Sequence, residues 1–156
     1  MEGITLRHNA ALVRITIASL CALALALAGW TATADAKTVN VSEKVSLHLV
    51  HKSGTTLVES GTASGTLAGR VSATFVVSAF KVSGSVTIYP SSGGSVTINV
   101  VGSPRSVGNT VTFGGTMGVR KGTGTYARAT GSGTFTGTVN RRTWAATVNA
   151  KAKLSY

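Results

Sequence analysis

Residues 37–156 are predicted to form an all-β fold, a single eight-stranded antiparallel β-barrel, on three observations. Apolar and polar residues alternate with period two along most of that stretch, and no amphipathic helical run interrupts it. The connections between the alternating runs are short and rich in Gly, Ser, Pro and Asn. They cannot carry crossover helices, so neighbouring strands must run antiparallel. Gly65, Gly69, Gly133 and Gly137 fall where coiled strands of a closed sheet need residues without side chains. A two-layer sandwich is the rival architecture. Closure is favoured because a barrel leaves no unpaired edge.

The strands follow in order. In Thr38–Val50, residues Val39, Val41, Val45, Leu47 and Leu49 share one phase against Asn40, Ser42, Lys44, Ser46 and His48. A Gly/Thr-rich run over Thr55–Gly69 supplies the second strand. Arg70–Phe80 puts Val71, Ala73, Phe75, Val77 and Ala79 on one face, and Lys81–Tyr89 does the same with Val82, Val86 and Ile88. Ser95–Val101 offers Val96, Ile98 and Val100, while Asn109–Val119 offers Val111, Phe113, Met117 and Val119. Thr130–Val139 is again glycine-rich. Thr143–Tyr156 carries Trp144, Ala146, Val148, Ala150, Ala152, Leu154 and Tyr156 in one phase. Turn signals separate the runs at Lys52-Ser53-Gly54, Pro90–Gly94, Ser103–Gly108 and Asn140–Thr143.

Residues 1–36 read as a cleaved signal peptide. Arg7 and Arg14 precede the apolar run Ile15–Gly29, which is short for a membrane span, and Ala34-Asp35-Ala36 makes a small-residue cleavage site. An uncleaved anchor is the alternative. The expected location is secreted or periplasmic, with no transmembrane segment in the mature chain. The one cysteine, Cys21, lies in the leader, so the barrel must stand on its own core without a disulfide.

Charge is lopsided, with 15 Lys+Arg against 4 Asp+Glu. Glu2 and Asp35 belong to the leader, Glu43 and Glu59 remain, and no carboxylate follows Ser60. Such a surface attracts polyanions, with ordinary solubility charge as the plainer account. Nucleic acid is not expected, since no aromatic-basic module of an RNA or DNA binder is present. Any chemistry needing two carboxylates must use Glu43 and Glu59. Without a mature Asp or a G-x-S-x-G turn, a Ser-His-Asp hydrolase is excluded.

The run Lys121-Gly-Thr-Gly-Thr-Tyr-Ala-Arg-Ala-Thr-Gly131 resembles the G-G-T-G-x-Y-x-x-A-x-G signature of the allene oxide cyclase and dirigent-like barrel superfamily. It is most similar to the small exported bacterial members of unknown role, in which G-S-G-T-F-T-G often follows, as Gly131–Gly137 does here. Lys121 stands in place of the first glycine. The resemblance extends over most of Leu57–Tyr156 and rests on this stretch. It implies an eight-stranded antiparallel barrel with an apolar cavity. The characterised plant members act on, or orient, hydrophobic substrates in cavities that include carboxylates. With no acid after Ser60, the fold and an apolar pocket carry over, and no catalytic residue does. Gly122, Gly124, Tyr126, Gly131, Gly133 and Gly137 are then a structural motif, with Tyr126 capping one barrel end.

Among candidate site residues, Glu43 shares the inward phase of Val41 and Val45. Turned inward, it would have a raised pKa and could serve as acid, base or ligand anchor. A strand end or a bulge that turns it to solvent is the favoured reading, because burying an unpaired charge is costly. Glu59, in a polar glycine-rich context, is expected on the surface. Phe75, Phe113 and Trp144 are the aromatic residues expected to line a ligand pocket with Glu43. His48 and His51, three apart on a strand, are expected on opposite faces, so no metal site is expected, and no cofactor. Arg120, Lys121, Arg128, Arg141 and Arg142 are expected to form a basic rim for an anionic polymer or a carboxylate-bearing ligand. The functional expectation is a non-catalytic barrel that binds a small apolar or amphipathic ligand or serves the cell envelope structurally. A cyclase-like or dirigent-like enzyme using Glu43 and a basic module attaching to anionic envelope polymer are the alternatives.

Overall fold

A computed structural model describes residues 36–156 of the chain; the leader expected over residues 1–36 lies, but for Ala36, outside the described residues. Eight strands follow one another as a meander: β1 Thr38–Ser53, β2 Thr56–Gly65, β3 Gly69–Val77, β4 Val82–Pro90, β5 Ser95–Pro104, β6 Thr110–Thr123, β7 Thr130–Asn140 and β8 Ala146–Ser155. Each pairs antiparallel with the next, and β8 returns to β1 to close the barrel. The closing ladder runs from Thr38 opposite Ser155 to Leu47 opposite Ala146. The expected fold class holds for the described residues, and the sandwich is excluded.

Alternation places one residue in two inside. The inward set includes Val41, Val45 and Leu47 on β1, Val71 and Ala73 on β3, Ile88 on β4, Val96 on β5 and Leu154 on β8, all buried in one cluster. An eight-stranded barrel is only just wide enough for side chains to fill it. Large rings therefore need small partners. Gly84, directly opposite Phe75, would place a Cβ 2.7 Å from that ring. Gly137, directly opposite Phe113, would do so at 2.7 Å, and Gly102 would bring a Cβ within 2.9 Å of Phe135. Each interior phenylalanine thus lies over an inward glycine, and the Phe113 and Phe135 rings meet at 6.1 Å in a tilted pair.

An antiparallel meander sends its connections alternately to the two ends. One end carries the β2–β3, β4–β5 and β6–β7 connections. Leu67, Tyr126 and Ala129 from these loops are buried and plug it. A 3-10 turn, Gly124–Tyr126, brings the Tyr126 ring to 4.8 Å from Tyr156, and its hydroxyl is 2.9 Å from Ser92 Oγ. Tyr126 is thus buried at this end of the barrel. Gly122 lies beneath this turn, where a Cβ would come within 1.7 Å of the Tyr126 carbonyl oxygen.

The other end, the mouth, carries the β1–β2, β3–β4, β5–β6 and β7–β8 connections. None of their residues is buried, and only Trp144 is half-buried. Here the structure corrects two expectations. β8 starts at Ala146, not Thr143, because Trp144 adopts φ 57° within a turn. That turn is tied by Trp144 N–H donating to the Asn140 carbonyl (2.6 Å) and Arg142 N–H donating to Asn140 Oδ1 (2.9 Å). In β1, a bulge between Leu49 and His51 shifts the register by one residue. It puts His51 opposite outward Val58, while His48 already faces outward beside Ser60, so both histidines share the outer face. Among the described residues, no group of three or more His, Cys, Asp or Glu is placed to hold a metal ion.

The glycine-seated rings give a test of the core. Gly84→Ala forces a Cβ to 2.3 Å from the Thr74 carbonyl oxygen as well as into Phe75, and should cost about 2–3 kcal/mol. Gly54→Ala, at φ 56° with nothing within 4 Å, should cost only about 1 kcal/mol. Urea unfolding of the two variants measures the difference.

Candidate functional site

The interior not filled by the core cluster forms two chambers. The inner one, about 90 Å³, lies toward the plugged end and is walled by aliphatic and aromatic side chains such as Val86, Ile98, Met117 and Phe135. The outer one, about 70 Å³, lies toward the mouth and is lined by Leu57, Val77, Val111, Val139, Arg141 and Trp144 among others. Leu47, Phe75, Phe113 and Val148 line both chambers, which marks them as the waist between the two. Each chamber is smaller than the roughly 150 Å³ that holds a benzene ring in an apolar core. Neither chamber alone holds a polycyclic ligand.

Each chamber contains one carboxylate. Glu43 is 4% exposed and sits in the wall of the inner chamber, as its phase on β1 predicts. Its place is built by β2: Gly65, opposite it in the ladder, holds φ 142°, and a Cβ there would come within 2.9 Å of Glu43 Oε2. The chain then turns so that Leu67 N–H donates to Glu43 Oε1. Burial pushes the Glu43 carboxyl above its ordinary value, partly offset by the Leu67 and Thr66 backbone N–H groups. Oε2 has no hydrogen-bond partner among the described residues.

Glu59, expected on the surface, is 2% exposed and lines the outer chamber. The correction has a simple cause. Glu59 pairs with Leu49 and shares the phase of buried Leu57 and Ala63, but the intervening Gly61 carries no apolar side chain to mark that phase in the sequence. Its Oε2 also lacks a hydrogen-bond partner among the described residues. Burial with no offsetting bond raises its carboxyl to about 7.

Glu43 and Glu59 do not form a pair. Glu43 lies six positions along β1 from Leu49, the partner of Glu59, which is roughly 20 Å along the strand. Two-carboxylate hydrolysis needs the groups within about 5–9.5 Å of each other. That chemistry is excluded.

The aromatic candidates are divided by the same geometry. Phe75 and Phe113 stand at the waist, and Trp144 lines the outer chamber from a turn rather than a strand. Lys52 Nζ lies 4.7 Å from the Trp144 ring centroid, a cation–π contact at the mouth that sequence reading missed because the β1 bulge sets it. The expected single basic rim does not exist. Arg120, Lys121 and Arg128 are exposed around the plugged end, whereas Arg141 and Arg142 are exposed at the mouth. The meander separates them, since the end of β6 and the β7–β8 turn lie at opposite ends of the barrel.

Raised carboxyl values set the pH response of the fold. The unfolded chain loses these protons near the ordinary glutamate value of 4.5, while folded Glu59 keeps its proton to about 7. The unfolded state therefore binds fewer protons across that window, so stability falls as pH rises from about 4.5 to about 7 and then levels off. Glu59 alone accounts for about 3 kcal/mol of this fall, and Glu43 adds to it in the same direction. Thermal melts should show a Tm roughly 10 °C higher at pH 5 than at pH 8. Glu59→Gln should remove most of that difference by stabilising the protein at pH 8.

No protein-family model, no curated protein and no solved structure matches this chain.

Proposed function

We propose that this protein is an exported, non-catalytic barrel that binds a slim amphipathic molecule end-on. The observation that carries the reading is the pair of apolar chambers that share Leu47, Phe75, Phe113 and Val148 as a common wall, the outer one bounded at the mouth by Arg141 and Trp144. An alkyl chain entering there would lose its contact with water against Val, Ile, Leu and Phe side chains, worth about 0.8 kcal/mol per buried methylene. A carboxylate or phosphate head left at the mouth would meet Arg141, with Lys52 beside Trp144. Glu59, below the mouth, donates a hydrogen bond to that head in its protonated form, which prevails below about pH 7. Export rests on the leader-like residues 1–36, and the barrel resemblance supports an apolar pocket.

A catalytic reading rests on Glu43, whose Oε2 lacks a partner in the wall of a cavity. It has less support, because one oxygen of that carboxyl is occupied by Leu67 and the other polar lining residues of the inner chamber, Ser132 and Lys153, are solvent-exposed. Binding without chemistry uses everything present.

Titration calorimetry of the full chain with straight-chain alkanoates such as octanoate tests the proposal. Saturable one-to-one binding is expected, weakened at least about tenfold in Ala146→Leu/Ala150→Leu, which adds side-chain volume to both chambers. Glu43→Gln should leave this binding in place. Absence of binding by the parent protein, or equal binding by the filled variant, would remove the reading.

A further inference from the structure

The mouth differs from the plugged end in what it shows to solvent. Its β3–β4 connection is a tight turn, closed by Ser78 N–H donating to the Lys81 carbonyl (2.8 Å) and Lys81 N–H donating to Ser78 Oγ (3.1 Å). At its tip stands Phe80, 85% exposed. In the β5–β6 connection, Thr112 N–H donates to Ser106 Oγ (2.8 Å) and Arg105 N–H to the Thr112 carbonyl (2.7 Å). Val107 projects from that loop and is 94% exposed. Below these tips, exposed Val76 and Val101 flank Ser83 in one outward row across β3, β4 and β5. Hydrogen bonds within the turns hold these apolar groups out in water, where they gain nothing for the fold.

The same end carries Lys52, Lys81, Arg105, Arg141 and Arg142, all exposed. No carboxylate offsets them, because Glu43 and Glu59, the only acids after Asp35, are both inside the barrel. The plugged end has cations too, but its loops expose only Ser, Thr, Gly, Ala and Arg side chains. Projecting apolar tips within a ring of cations are a combination found at the mouth alone among the described residues.

We propose that the mouth docks on the surface of an anionic lipid bilayer, with Phe80 and Val107 entering the boundary between headgroups and acyl chains. The cations pair with headgroup phosphates, each Lys or Arg near such a surface adding to the attraction, while the tips lose their contact with water. A soluble polyanion would satisfy the charges but leave Phe80 and Val107 in water. A bilayer takes up both. The docking does not depend on the cavity being occupied, so it stands or falls apart from the ligand reading.

Trp144 at the mouth provides the probe. Trp30 belongs to the leader read as cleaved, so the exported protein, residues 37–156, carries Trp144 as its single tryptophan reporter. This protein is mixed with phosphatidylglycerol vesicles whose acyl chains are brominated. Trp144 fluorescence should be quenched, and brominated phosphatidylcholine vesicles should leave it unchanged. Partitioning should fall at least about tenfold in Arg141→Glu/Arg142→Glu and about tenfold in Phe80→Ser/Val107→Ser. It should also weaken steeply with added salt. Circular dichroism checks that these surface variants keep the barrel. Three results would each overturn the proposal: no quenching by the anionic vesicles, quenching untouched by either double variant, or dextran sulfate binding as tight as vesicle binding and equally indifferent to Phe80→Ser/Val107→Ser.

Discussion

The ladder between β1 and β8 is the constraint on which the rest depends. Without it the eight strands are an open sheet with two unpaired edges and no interior. With it, every inward residue competes for a cylinder barely wide enough for its side chains. The phenylalanines at the waist exist only because glycines face them. The chambers are the space this matching leaves on either side. Cavity and core are therefore a single packing problem: a larger side chain at Gly84 or Gly137 would press on the residues that divide the chambers.

Closure also decides the electrostatics. The two carboxylates of the described chain are drawn inside by strand phase, where an ionised acid is costly. Glu43 recovers part of that cost from backbone donors at the plugged end, and Glu59 recovers none. Among the described side chains, the outer surface is left with cations alone. One fact, the inward direction of both acids, thus accounts for the weakened fold at neutral pH and for an outer face on which the described side chains carry no negative charge. Below about pH 7 it also leaves the outer chamber with a protonated hydrogen-bond donor instead of a fixed charge.

Much of this was readable from residues alone, and the failures have physical causes. Strand phase in β1, β3, β4, β5 and β8 is written in Val, Ile, Leu and Ala at every second position; for Glu43 that phase points inward, but the cost of burying a charge favours solvent, and the structure follows the phase. Glu59 could not be placed by phase, because β2 marks its inward face with glycine as often as with an apolar side chain. The bulge at β1 leaves no trace in composition, yet it brings His48 and His51 to one face and carries Lys52 to Trp144. A tryptophan at positive φ violates local preference and is set by the Asn140 turn around it. The division of the arginines between two ends was available in principle, since alternate turns of any meander point opposite ways. Treating loop charges as one rim overlooked it. The pairing of rings with glycines needed register, which no single-sequence pattern supplies.

The two ends of the barrel answer different physical demands. At the plugged end, buried side chains from two separate loops, Leu67 and the Tyr126 turn, meet the last residue of the chain, Tyr156. At the mouth, each clamped connection satisfies its own backbone through a nearby Ser or Asn and contributes no buried residue. Such turns are held locally and are too short to fold over the opening. The mouth is therefore permanently presented, and whatever shields its apolar tips from water has to come from outside the barrel. An entrance that cannot close protects an apolar guest poorly in free solution and well against a surface that covers it. Binding inside the barrel and docking of its mouth are separate proposals, but the same short turns favour both.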